Sequence, residues 1–86
     1  MENQHTEFKL LWKEDFLRNL AAFANTEGGV LYIGVSDTGE VVGVKDGLKW
    51  LELLPNLISQ KLGIYPSVDL LEEGGKQLVR VSISVS

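Results

Sequence analysis

No cysteine occurs in this 86-residue chain, which also has a single histidine, two prolines and no excess of basic residues. Without cysteine there is no disulfide framework, no thiolate zinc site and no thiol nucleophile, and a reducing cytoplasm is compatible. With His5 as the lone histidine, histidine-rich metal sites are excluded and a Ser-His-Asp triad is disfavoured. No apolar run approaches the ~20 residues that a bilayer requires. The opening Met-Glu-Asn-Gln-His-Thr is neither basic nor apolar enough for a signal peptide. These absences lead us to expect a cytoplasmic protein with no membrane partner. Twelve acidic residues against eight basic ones give a net charge of −4, the wrong sign for gripping nucleic acid by bulk electrostatics. Local patches must carry any such binding.

Two phosphate-binding motifs are missing as well. No Gly-x-x-x-x-Gly-Lys-Ser/Thr loop is present, so the lysine that a Walker-type ATPase sends to the phosphates is lacking, and ATPase activity is not expected. No Gly-x-Gly-x-x-Gly opens a helix after a strand, because Gly28-Gly29 follows a helical pattern and precedes a strand-like one.

What is present is a foldable pattern. Hydrophobic residues make up 44% of the chain, enough for a core, and the length suits one domain spanning residues 1–86. That length is near the lower limit for a self-sufficient core, which leaves room for a partner subunit or a missing neighbour. Phe8 between Glu7 and Lys9 suggests a strand that points Phe8 inward and both charges outward. Phe16, Leu17, Leu20, Ala21, Phe23 and Ala24 fall at helical spacing, and Asn25-Thr26-Glu27-Gly28-Gly29 supplies the stop. Val30 to Val35 reads as a buried strand, and across Asp37-Thr38-Gly39-Glu40 it pairs in expectation with Val41 to Val44 as a hairpin. Gly34 and Gly43 inside those runs suggest a bulge or a close approach of another backbone. Leu48 to Leu62 forms a second helical stripe across Pro55, expected as one kinked helix ending at Gly63. Ser67 to Glu72 and Gln77 to Val85 form a last strand pair joined at Glu73-Gly74-Gly75-Lys76. The expected fold is α+β, a small mixed β-sheet with two helices packed on one face in the order β-α-β-β-α-β-β.

Several residues invite a functional reading beside a structural one. Asn25 and the glycines after it serve a helix-to-strand turn, or offer backbone amides to an anion. Asp37 suits a turn ahead of Gly39. Glu2, Glu7 and Asp37 are an acidic set of the kind that holds magnesium or manganese. Spacing alone does not bring them together, since Glu2 and Glu7 lie on opposite faces of a strand and about 140° apart on a helix. Lys9, Lys13 and Arg18 form the nearest thing to a basic cluster, or else a solvated face. Trp12 and Trp50 can stack on bases or pack in a core or subunit interface.

Glu2, Glu7-Phe8-Lys9, the block from Ala22 through Asn25-Thr26-Glu27-Gly28-Gly29 to Val35, Asp37, Gly39 and Val42-Gly43-Val44 together resemble the Schlafen AlbA-like domain family. The resemblance runs from Glu2 to about Pro66, with four blocks in the family's order. It implies a nucleic-acid-binding module, DNA-binding or RNA-binding, of the sort found at the N-terminus of prokaryotic transcriptional regulators. An older label for the family is a divergent AAA-type ATPase. The animal members imply a second reading, an endoribonuclease in which Glu2, Glu7 and Asp37 bind magnesium or manganese with Lys9 beside them. The nucleic-acid contacts implied for this chain are Lys9, Lys13, Asn25, Thr26, Gly28 and Gly29. Family domains continue into a further arginine-containing strand, so the resemblance leads us to expect a chain truncated at its C-terminus and completed by more of the same protein or by a second copy. A dimerisation or interaction module, with a homodimer as one form, is the third reading.

Overall fold

The computed structural model describes residues 5–85. Four strands and two helices follow in the order β1 (Thr6–Lys9), α1 (Leu17–Ala24), β2 (Gly29–Ile33), α2 (Gly47–Leu62), β3 (Ser67–Glu73) and β4 (Lys76–Ile83), with a 3₁₀ turn at Glu14–Phe16 leading into α1. The sheet order is β1-β2-β4-β3. β1 runs parallel to β2, whereas β4 is antiparallel to both β2 and β3, so the sheet is mixed.

Both helices cover one face. The inward residues of α1 and α2, Leu20, Phe23, Leu54 and Ile58, meet Leu31 and Ile33 of β2 and Val79, Val81 and Ile83 of β4 in one core cluster. Alternation along β4 produces this directly, because residues two apart point to the same side of a sheet. Val85, next in the alternating series, lies beyond the strand and is exposed.

Helix ends follow the glycines. At the end of α1 the Gly28 amide donates to the Phe23 carbonyl over 2.7 Å, with Gly28 at φ +84°. Asn25 keeps right-handed helical torsions, so Gly28 and not Asn25 makes the left-handed turn. α2 runs through Pro55 and stops at Gly63, at φ +68°. The imino nitrogen of Pro55 leaves the Leu51 carbonyl without its usual helical donor, a local cost that the packing of Leu54 and Ile58 outweighs.

Two local expectations are revised. Val41 to Val44 does not form a strand, and the pairing across the turn is a single bridge between Val35 and Val41. Gly34 at φ +97° and Gly43 at φ +96° turn the chain out of the extended conformation, and the amides of Val42 and Gly43 both donate to the Gly34 carbonyl. A Cβ on Gly34 would lie 3.1 Å from the Gly43 carbonyl carbon, so the close-approach reading of these glycines holds while the hairpin shrinks. The second revision concerns β1. Register pairs Glu7 with Leu31 and Lys9 with Ile33, which puts the two charged residues on the helix-bearing side. Phe8 pairs with Tyr32 on the opposite side, where it joins Val35 and Leu78 in a second apolar cluster. An alternating triplet fixes which residues share a face, but not which face meets the helices.

Candidate nucleic-acid interface

β1 and the start of α1 place the proposed basic contacts. The Lys9 ammonium lies 3.6 Å from the Glu7 carboxylate and 4.7 Å from the centre of the Phe16 ring. Both partners of the ion pair are half-buried, so Lys9 is held by an ion pair and a cation–π contact instead of projecting freely. Phe16 in turn meets Trp12 edge-on at 6.0 Å. Lys13 is exposed just before the 3₁₀ turn, and its carbonyl accepts from the Phe16 amide. Arg18 is exposed on α1.

The turn from Asn25 to Gly29 lies at the other end of β2. The amides of Thr26 and Gly28 both donate to the Phe23 carbonyl, and the Thr26 hydroxyl donates to the Ala22 carbonyl. These amides close the helix, which leaves the exposed Asn25, Thr26 and Glu27 side chains as the turn's polar surface. His5 Nε2 lies 3.2 Å from the Glu27 carboxylate, tying the chain ahead of β1 to the same turn. That cross-link was not legible in the sequence, because it depends on the parallel pairing of β1 and β2.

Asp37 is exposed in a turn organised by Ser36. The Ser36 carbonyl accepts from the Gly39 amide, and its hydroxyl accepts from the Glu40 amide and bonds the Thr38 hydroxyl. Gly39 rests over Phe8, on the sheet face away from the helices, whereas Glu7 lines a shallow cleft with Asn19 and Thr26 of the α1 side. Glu2 lies outside the described residues. Among the described residues, no three histidine or acidic side chains come together as a metal-binding set. Glu7 and Asp37 are thus not part of a preformed three-ligand cation set among the described residues.

A family profile for Schlafen, AlbA_2 matches residues 2–86. The chain belongs to the Schlafen AlbA_2 family. Among solved structures, this family member is similar to the N-terminal domain of a RecG-related protein from Nitrosomonas europaea, at 25% identity and a TM-score of 0.79, over 99% of the chain and 65% of that one. It shares its fold with the DIP2311 protein from Corynebacterium diphtheriae, at 20% identity and a TM-score of 0.77, over 96% of the chain and 18% of that protein. The Schlafen AlbA_2 chain thus spans less than two thirds of either relative. None of the helices among its described residues is long and apolar enough to cross a membrane.

Proposed function

We propose that the chain is a nucleic-acid-binding module of a transcriptional regulator. The observation that carries this reading is family membership, joined to a structural likeness to a protein whose name relates it to an ATP-dependent DNA helicase. In this reading Lys13 meets phosphate as an exposed cation and Lys9 as one already oriented by Glu7 and Phe16, while Asn25 and Thr26, positioned by Gly28 and Gly29, contact the backbone from the turn. With a net charge of −4, attraction is local and strongly dependent on salt.

Fluorescence anisotropy with labelled DNA and RNA across a salt series tests the proposal. Binding at low salt is expected, and Lys9→Ala and Lys13→Ala should each weaken it and flatten the salt dependence. No binding at low salt, or unchanged affinity in both variants, overturns the reading.

A second reading, carried by the family resemblance, is RNA cleavage with Glu2, Glu7 and Asp37 as the acidic residues and Lys9, which pairs with Glu7, beside the phosphate. Here Asp37→Ala should abolish cleavage and leave thermal unfolding unchanged, since Asp37 is exposed. Cleavage that survives the substitution rejects this set.

A further inference from the structure

At the carboxyl ends of the parallel strands β1 and β2 the chain divides, toward α1 on one side and toward α2 on the other. The division leaves a cleft of about 560 Å³, within the usual range for ligand pockets. Buried Ile33 and half-buried Val44 form its base, half-buried Trp12 and Trp50 its walls, and exposed Lys45 and Lys49 its rim. None of these six residues belongs to the set of nucleic-acid contacts given above.

Two features decide what the cleft suits. The first is aromatic surface: Trp12 and Trp50 pack against the core yet stay half-buried where they line the cleft, and the Lys49 ammonium, 5.2 Å from the centre of the Trp50 ring, covers the face from which a stacked base would displace it. The second is charge. Neither Lys45 nor Lys49 takes part in an ion pair among the described residues, and against them the lining has one carboxylate, Asp46. This is a local cationic surplus in an acidic chain. Lys45 also borders an adjoining cleft lined by Lys76 and Glu72, whose charges offset, so the surplus is confined to Lys45 and Lys49.

We propose that this cleft takes an unpaired base of single-stranded nucleic acid against Trp50 and Trp12, with the flanking phosphates on Lys45 and Lys49. Stacking needs a base splayed out of a duplex, and its sequence tolerance suits a site whose walls carry few hydrogen-bonding groups. An apolar peptide would fill the same walls but gain little from two unpaired lysines on the rim. The inference rests on the nucleic-acid reading above and locates binding at different residues.

The test titrates the full chain with an oligothymidylate or oligouridylate about ten nucleotides long, within the footprint of known single-strand binders, and with the corresponding duplexes. Single strands should bind more tightly than duplexes and quench tryptophan fluorescence. Trp50→Leu should weaken binding roughly 5- to 150-fold, the usual range for one lost stack. The double variant Lys45→Gln/Lys49→Gln, with both changes at exposed positions, should weaken binding and reduce the salt slope by about 1.4, at roughly 0.7 per phosphate contact. It keeps the test decisive if Trp50→Leu fails to fold. Wild-type affinity and slope in the double variant, or a preference for duplex without quenching, overturns the cleft assignment while leaving the module reading standing. Concentration-dependent self-association that disappears in the double variant assigns the cleft to a second copy and likewise overturns it. If the wild-type chain binds no DNA or RNA at low salt, the module reading falls and the inference falls with it.

Discussion

Replacing Gly28 with alanine should be among the most damaging single-methyl changes available to this domain. Gly28 has φ +84°, where an L-residue costs about 1–2 kcal/mol. The added Cβ would lie 2.6 Å from the Ile83 carbonyl oxygen and 3.3 Å from the Val85 amide nitrogen. Both are backbone atoms, and Ile83 is the register partner of Gly29, so the oxygen cannot retreat without loosening the β2–β4 ladder. Overpacking of this kind costs about 1–3 kcal/mol, which with the torsional term gives about 2–5 kcal/mol. At about 4–8 °C per kcal/mol for a domain of this size, the melting temperature should fall by about 10 °C or more. Gly63 is the internal control. It also has a positive φ, +68°, but a Cβ there meets nothing within 4 Å, so Gly63→Ala should carry the torsional term alone. Thermal and urea unfolding followed by circular dichroism would compare the two. Equal losses would refute the steric argument.

Leu54 is fully buried in α2, so Leu54→Ala should cost about 2–5 kcal/mol in urea unfolding; a loss below about 1 kcal/mol would mean that the helix layer does not pack as described. Arg80 Nη2 donates to Asp69 Oδ2 at 3.0 Å across β3 and β4, but both side chains are more than a third exposed, so a double-mutant cycle should give a coupling of no more than about 1 kcal/mol. Lys9→Ala should cost about 1 kcal/mol in chemical unfolding, through its lost contacts with Glu7 and Phe16. If the ring contact dominates, the same Lys9→Ala substitution made in a Phe16→Leu background should cost much less.

Much of the fold was legible because it rests on local rules. Gly28 and Gly63 end helices where only glycine adopts the required torsions easily. Gly74 and Gly75, both at positive φ, make the tight turn between β3 and β4. Strict alternation assigned Val79, Val81, Ile83 and Val85 to one core face, and the structure buries the first three while Val85 is exposed beyond the strand. The candidate site was less legible. Glu7 and Lys9 were recognisable as neighbours on one face, but the Phe16 ring beneath Lys9 and the His5–Glu27 contact join segments whose meeting depends on how the sheet assembles.

Residue type and short-range spacing were enough to read the α+β class, the two helices and their glycine stops, the β3–β4 hairpin, and the lack of cysteine and of a Walker A loop. Only the tertiary structure decided that β2 pairs with β4 instead of the segment after Gly34, that Phe8 faces away from the helices, and that Trp12 and Trp50 flank one cleft. Those outcomes depend on contacts between residues far apart in the chain, where a strand can satisfy its hydrogen bonds with more than one partner and the packing of the whole core selects among them.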